Sequence, residues 1–161
     1  MKRLFALAVV ALAPALAAAG RADSNDADRD AAASDHMTAQ AMLTAHYVAA
    51  ARQAGTPDTE INAVLAQVAS ETIISEFWIT DEQGRVVYTN IAGTEFAFPT
   101  DPGADSQAAP FAALLTGQSR VVVQGVRPRE LDDKEFKYVG AAGVDQPRIV
   151  QIGIAGEALR E

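Results

Sequence analysis

The sequence predicts an α+β domain, in which a five-stranded antiparallel sheet carries an N-terminal pair of helices on one face. Residues 34–71 place apolar side chains at helical spacing. From residue 75 onward the pattern changes to alternation in short runs rich in β-branched and aromatic residues, separated by turn residues. A chain of 161 residues can bury a core of its own, which it must do because it has no cysteine and so no disulfide.

The first 19 residues have the pattern of a secretory signal peptide. Lys2 and Arg3 precede an apolar run from Leu4 to Leu12, and small residues follow around Ala17 and Ala19. The alternative is an uncleaved membrane anchor, but a span needs about 20 apolar residues and this run is shorter. We therefore expect a signal peptide over residues 1–19 and a periplasmic or secreted product.

Residues 20–33, "GRADSNDADRDAAA", are small and charged without an apolar period, which predicts a flexible linker before a single domain over residues 34–161. The first helix of that domain is expected to begin at Ser34 or Asp35, either of which can cap it, and to end at Gly55. Its predicted inward face consists of residues at helical spacing, namely Met37, Ala41, Thr44, Val48 and Ala51.

The second helix is predicted to begin abruptly, with Thr56 as its N-cap and Pro57 as its first residue. Asp58 and Glu60 suit the positive end of the helix dipole. The apolar face of this helix is expected to contain Ile61, Val64, Leu65 and Val68.

The segment "SEFWITDEQGRVVYTN" predicts a hairpin with strands near residues 75–80 and 85–89, in which Gly84 supplies a positive φ at the turn. Residues 90–109 form a long predicted loop, and loops of this length are often functional. Pro110 can then begin a short helix that Gly117 ends.

Three further strands are predicted in "SRVVVQGV", "FKYVGAAGV" and "RIVQIGI", with a charged tip after the first and a turn at Asp145–Pro147 after the second. These strands contain Gly140, Gly143 and Gly153. Glycine weakens a strand, so its presence at these positions calls for a structural explanation. One hypothesis is that they leave room for a ligand, and the alternative is that they only allow a helix to pack closely.

The order and the sequences of these hairpins resemble those of a known family. "SEFWITDEQGRVVYTN" resembles the first hairpin, and "FKYVGAAGVDQPRIVQIG" the last hairpin, of Cache domains, the PAS-like extracellular sensors of bacterial chemoreceptors and sensor kinases. The resemblance covers about residues 55–155. It implies a PAS-like sheet and a small-molecule-binding module outside the cytoplasmic membrane.

The composition and motifs exclude several functions. Twenty-one acidic against 13 basic residues give a net charge of −8, so we expect no binding to nucleic acid. The two histidines, His36 and His46, point about 280° apart on one helix and cannot form a metal pair. No nucleophile elbow, phosphate loop or dinucleotide fingerprint occurs. We therefore expect no enzyme, no cofactor and no metal site.

The candidate ligand-binding residues are Trp78, Tyr88, Arg127, Lys137 and Tyr138. Trp78 and Tyr88 could form an aromatic wall, or could simply belong to the core. Arg127 and Lys137 could bind a carboxylate if buried, or could be ordinary charges at a sheet edge if exposed. Tyr138 must point to the face opposite Lys137, because side chains alternate along a strand.

The leading functional hypothesis is a stand-alone exported sensor domain for a small, anionic metabolite such as a carboxylate, which relays its signal through a membrane receptor or sensor kinase. The alternative is a non-sensing interaction module that forms a homodimer through the N-terminal helices, with a purely structural sheet. An open, polar-lined cavity would favour the first hypothesis, and a filled sheet interior would favour the second.

Overall fold

The computed structural model describes residues 14–130 and 132–160, with side chains from Asp26 onward. The chain divides into two units between Ala32 and Ala33. The helices are α1 (Pro14–Gln53), α2 (Asp58–Glu71) and α3 (Ala112–Leu115), the last preceded by a 3-10 turn at Ala109–Phe111. The strands are β1 (Glu76–Thr80), β2 (Val86–Thr89), β3 (Val121–Pro128), β4 (Glu135–Ala142) and β5 (Ile149–Ala155).

In the first unit, residues 14–32 belong to α1, and the side chains of residues 26–32 are exposed. The stretch predicted as a flexible linker, residues 20–33, is therefore helical, and α1 does not begin at Ser34 or Asp35. Alanine, the best helix former, is frequent in this stretch, and Asp26 and Arg29 add a pair at i,i+3 with 3.7 Å between their charged atoms. Of the predicted signal peptide, residues 1–13 lie outside the described residues. No helix in the described part of the chain is long and apolar enough to cross a bilayer.

The second unit contains a five-stranded sheet in the order β2-β1-β5-β4-β3, and every neighbouring pair is antiparallel. The predicted α+β class, with two N-terminal helices and five antiparallel strands, is confirmed. Strand β5 lies at the centre of the sheet, between β1 and β4. Its side chains therefore have neighbours on both sides, which fits the near-complete burial of this strand.

One face of the sheet packs against the helices. All five residues predicted for the inward face of the first helix are buried, so the helical spacing in the sequence identified that face correctly. The four apolar ones, all but Thr44, form a continuous core with Ile61 and Leu65 of α2. The sheet contributes to this core alternate residues of its three central strands, namely Phe77, Ile79, Val139, Ala141, Val150, Ile152 and Ile154.

The join between α1 and α2 has the hydrogen bonds of a Schellman motif. Gly55 has a φ of 73°. Its N–H donates to Arg52 O at 3.0 Å, and the N–H of Thr56 donates to Ala51 O at 2.9 Å. Pro57, not Thr56, is the N-cap of α2, and no side chain caps that helix. The predicted cap was wrong by one residue, because Thr56 closes the end of α1 and does not open α2.

The second face of the sheet is covered by residues 90–108 and the short α3. The turn at Gly84 has the predicted positive φ of 79°, and Gly84 O accepts from Phe98 N at 2.8 Å. This bond and an isolated bridge between Arg85 and Ala97 hold the long loop against the end of the first hairpin. The loop thereby delivers Phe98 to a second apolar cluster, together with Phe111 and Leu114 from the short helical turns.

Candidate functional site

The second face of the sheet contains a cavity of about 200 Å³. Five aromatic rings and three glutamine amides line it, with one cation and one carboxylate among the remaining residues. The rings belong to Trp78, Phe96, Phe98, Phe111 and Tyr138; the other lining residues are Thr94, Gln107, Ala108, Gln124, Arg129, Glu130 and Gln151.

Strand register brings the floor of the cavity together from distant parts of the sequence. Gln151 on β5 pairs with Trp78 on β1 and with Gly140 on β4. In the neighbouring row, Tyr138 on β4 pairs with Gln124 on β3. Because every second residue of a strand faces the same side, these side chains share one face of the sheet.

The aromatic rings form a continuous series of edge-to-face contacts. Trp78 and Phe96 have ring centroids 5.8 Å apart, Phe96 and Phe98 5.1 Å, and Phe98 and Phe111 6.2 Å. Phe96 remains 38% exposed, whereas the other three rings are buried. The exposed ring of Phe96, in the long loop, thus lies between the buried rings of Trp78 and Phe98.

Glu76 is buried directly beside the cavity and accepts from three donors. Trp78 Nε1 and Tyr138 Oη both donate to Glu76 Oε2, each at 2.9 Å. Arg129 Nη1 donates to Glu76 Oε1. A buried carboxylate is stable only when it is paired and hydrogen-bonded, and these three contacts satisfy that condition.

The charge of Arg129 is balanced on two sides. Its Nε and Nη2 donate to the two carboxylate oxygens of Asp132 at 2.6 and 2.7 Å, and its guanidinium lies 4.3 Å from the centre of the Phe136 ring. The hydrogen bonds with Asp132, and next the charge of Glu76, raise the pKa of Arg129. The same bonds hold the pKa of the Asp132 carboxyl well below its usual range. Arg129 therefore lines the cavity as one member of a paired group and adds little net positive charge.

Tyr138 is a neutral donor in this group. Burial, and then the negative charge of Glu76, raise the pKa of the Tyr138 phenol. Both causes disfavour the phenolate, so Tyr138 keeps its proton at neutral pH and its hydroxyl donates a hydrogen bond to Glu76.

The three amides of the lining differ in their hydrogen bonds. Gln124 Nε2 donates to Gln107 O at 3.0 Å, and Gln107 Nε2 donates to Gln124 Oε1 at 3.3 Å. Glu130 N donates to Gln107 Oε1 at 3.1 Å, and the carboxylate of Glu130 accepts from Gln107 N. Gln151 is only 5% exposed, yet its side chain forms no hydrogen bond with any described residue.

The structure brings two of the five predicted site residues to the cavity, Trp78 and Tyr138. Tyr88 lies on the helical face, where its hydroxyl accepts from Arg52 Nη1 at 3.2 Å. Arg127 is exposed on the edge strand β3, and Lys137 is fully buried on the helical face. The prediction that Arg127 or Lys137 supplies positive charge beside the aromatic wall is therefore wrong. The predicted alternation holds, because Lys137 and Tyr138 occupy opposite faces.

The strand glycines do not leave room for a ligand. A Cβ at Gly140 would lie 2.7 Å from Phe111 and 2.9 Å from Leu114, so Gly140 allows the short helical turns to pack closely. A Cβ at Gly153 would lie 2.6 Å from the Tyr138 ring, and one at Gly143 would lie 2.2 Å from Arg148. Protein atoms fill all three spaces, so the ligand-room hypothesis is wrong. The alternative, that a helix packs closely, holds at Gly140, whereas strand and turn residues fill the spaces at Gly143 and Gly153.

Sequence reasoning missed Glu76, Arg129 and Gln151. Arg129 lay in a predicted solvated hairpin tip, which gave no sign of burial. Glu76 and Gln151 did carry a signal, because each is a polar residue within a run that is otherwise apolar, in "SEFWIT" and in "IVQIGI". A polar residue inside a buried strand indicates a specific partner or role, whereas a single exposed apolar residue is common and indicates little.

The described residues contain no group of three or more His, Cys, Asp or Glu side chains that could hold a metal ion. Both His36 and His46 are exposed on α1. The polar groups at the cavity are amides, a phenol and paired charges, and this set is suited to hydrogen bonding.

A scan of protein-family models and a search of curated proteins found no match to this chain. The fold and the cavity together define an α+β domain with an aromatic, amide-lined cavity on the sheet face opposite its helices. The likeness to Cache domains stays a prediction from the two hairpins.

Proposed function

We propose that the protein is a small-molecule-binding sensor domain whose ligand occupies the cavity beside Trp78 and Tyr138. The observation that carries this proposal is the contrast between the two sheet faces. The helices fill one face, whereas aromatic rings and amides converge on a cavity at the other. Ligand pockets characteristically combine apolar and aromatic walls with a few placed polar groups.

The charges at the cavity argue against the anionic ligand expected from the sequence. A carboxylate would have to displace Asp132 or Glu76 from Arg129, the only cation among the described lining residues. Such an exchange replaces one charge-assisted hydrogen bond by another, so it contributes little to the free energy of binding. We therefore propose a compact ligand without a negative charge.

The proposal keeps the expected place and route of signalling. The signal-peptide pattern supports an exported protein, and the Cache-like hairpins support relay through a membrane receptor or sensor kinase. A homodimer through α1 is the second candidate arrangement, favoured by adjacent exposed apolar side chains at Met42 (43% exposed) and Leu43 (63% exposed). Leu43→Glu should abolish such a dimer, and light scattering would then show half the molar mass of the parent protein.

A thermal-shift screen of the full chain against small metabolites tests the ligand-binding proposal. A ligand at 100 times its dissociation constant adds about 2.7 kcal/mol to the free energy of unfolding. Ala108 lines the cavity and is buried, so Ala108→Leu should fill part of the space and remove the shift. Ala50→Leu, on the exposed side of α1, is the matched control and should keep it. A shift that survives in Ala108→Leu would place the ligand elsewhere.

A further inference from the structure

We propose that the side-chain amide of Gln151 is the recognition group of the cavity, and that it selects an uncharged, flat ligand with a hydrogen-bond donor next to an acceptor. Lactams, carboxamides and the edges of nucleobases share this chemistry. The inference rests on the proposed function, because it takes the cavity to be the ligand site. The juxtaposition that carries it is an unpartnered, buried amide beside the Trp78 ring.

Gln151 differs from the other buried polar side chains on this sheet face. Glu76 accepts from three donors, and Gln124 exchanges hydrogen bonds with Gln107. Gln151 is 95% buried and forms no side-chain hydrogen bond within residues 14–130 and 132–160. A nearly buried amide without a protein partner needs a water or a ligand to complete its hydrogen bonds.

The amide of Gln151 is accessible from the cavity. Every described side-chain nitrogen or oxygen that is sealed from solvent has a hydrogen-bond partner, so the unpartnered atoms of Gln151 must retain some exposure. Gln151 lines the cavity, and its neighbours in register are Trp78 on one side and Gly140 on the other. Because Gly140 has no side chain, the Phe111 ring occupies the space above it.

The geometry of an amide defines its partner. Oε1 accepts and Nε2 donates in one plane, so a ligand that presents a donor beside an acceptor can form two parallel bonds. Glutamine recognises the edge of adenine in this way. The rings of Trp78 and Phe111 beside Gln151 favour a partner that is itself flat, since aromatic faces stack on planar groups.

The surrounding charges favour a neutral ligand. Arg129 is paired with Glu76 and Asp132, and Glu130 accepts from Gln107 N and from Ser106 Oγ. Both charged lining residues, Arg129 and Glu130, therefore already have partners in the protein, and neither is free to form an ion pair with a ligand. A volume of about 200 Å³ lies below the roughly 300–1,000 Å³ of pockets for drug-sized molecules, so the ligand is a single ring or a small bicycle.

The test uses the full chain and four ring probes of similar size. These are 2-pyridone, which has the donor–acceptor edge, toluene, which has none, and the ions benzoate and benzylammonium. Trp78 is the only tryptophan, so quenching of its fluorescence reports binding at the cavity. We expect 2-pyridone to bind at least tenfold more tightly than each of the other three.

Gln151→Leu should abolish that preference and weaken 2-pyridone at least tenfold, while leaving toluene unchanged. Loss of an unpartnered amide does not break a hydrogen bond, so this variant should keep its fold, as its melting temperature will show. Gln151→Met, with a flexible side chain of similar length, should give the same result. Gln118→Leu, at an exposed position outside the cavity lining, is the matched control and should bind 2-pyridone as the parent does.

The outcomes separate this inference from the function on which it rests. If toluene binds but 2-pyridone binds no better, Gln151 holds only water and the inference is wrong, while the cavity remains a ligand site. Tighter binding of benzoate or benzylammonium would also overturn the inference. If no probe quenches Trp78, the inference is wrong, and the thermal-shift screen alone then decides the proposed function.

Discussion

Arg129 in the β3–β4 hairpin and Glu76 at the start of β1 are 53 positions apart in the chain, and their side chains form a buried ion pair beside the cavity. The pair joins the outer half of the sheet to its first strand. Only 13% of the Arg129 side chain and 5% of the Glu76 side chain are exposed, so solvent screens the interaction weakly.

Glu76→Gln should therefore destabilise the protein considerably. The substitution removes the negative charge that faces Arg129 and weakens the bonds from Trp78 and Tyr138. Breaking a buried pair from one side costs about 3–5 kcal/mol, and we expect the lower end because Asp132 still pairs with Arg129. Urea unfolding measures the change in the free energy of unfolding.

The control for this prediction is Glu135→Gln, the same substitution in the exposed pair of Glu135 with Arg160, whose side chains are 48% and 63% exposed. Exposed pairs contribute about 0–1 kcal/mol. Equal losses in the two variants would show that burial does not strengthen the pair of Glu76 with Arg129.

Stability should fall at alkaline pH because of Tyr138. Burial and the charge of Glu76 raise the pKa of this phenol above its ordinary value of 10.0. Above that pH the unfolded chain releases the proton while the folded chain retains it, so the free energy of unfolding decreases as the pH rises towards the folded-state pKa. The slope for one proton is about 1.4 kcal/mol per pH unit.

Tyr138→Phe should remove this part of the alkaline slope in urea unfolding measured at several pH values. Burial also raises the pKa of Tyr47, so Tyr47→Phe is the useful comparison and should retain the Tyr138 part. An alkaline slope unchanged in Tyr138→Phe would contradict the assignment.

Gly140→Ala should destabilise the protein by about 1–3 kcal/mol, the usual cost of overpacking. The new methyl group would lie 2.7 Å from the Phe111 ring, which the surrounding core holds in place. Gly125→Ala on the edge strand β3 meets no atom within 4 Å and should change stability by no more than about 0.5 kcal/mol. Chemical denaturation of both variants tests the difference, which would vanish if Phe111 can move aside freely.

Gly84→Ala should lower the free energy of unfolding more than Gly93→Ala does. Both glycines have a positive φ, 79° and 73°, so alanine is strained at each by roughly 1–2 kcal/mol. At Gly84 the added Cβ would also lie 2.5 Å from Phe98 O, whereas at Gly93 it meets nothing within 4 Å. The difference in melting temperature between the variants measures the contact with Phe98, and equal melting temperatures would disprove it.

Local chemistry made most of the fold predictable. Gly55 ends α1, Gly84 turns the first hairpin, and the spacing of Met37 to Ala51 identifies the buried face of α1, because each signal depends on residues close in sequence. The prediction of an N-cap at Thr56 was wrong because the hydrogen bond from its N–H to Ala51 O assigns this residue to the end of the preceding helix. With no side-chain cap in place, Thr56→Ala should change stability by no more than about 0.5 kcal/mol.

The cavity was less predictable, because it depends on contacts between distant residues. Tyr138 and Glu76 are 62 positions apart, and no local pattern indicates that they meet. Alternation did separate Lys137 from Tyr138, but it could not tell which of the two faces the helices cover. That choice depends on how α1 and the loop over residues 90–108 pack on the sheet, which is a property of the whole chain.

Strand β5 places Gln151 at the cavity, and Val150 and Ile152, its direct neighbours, beneath the helices. Deletion of one residue within Ile149–Ala155 would turn every later side chain of the strand to the opposite face of the sheet. An isoleucine would then enter the cavity, and a polar or small residue would enter the helical core. Natural homologues should therefore show length changes in the hairpin tips, and only paired or compensated ones within β4 and β5. The number of residues in this strand is thus under a constraint that substitutions alone do not reveal.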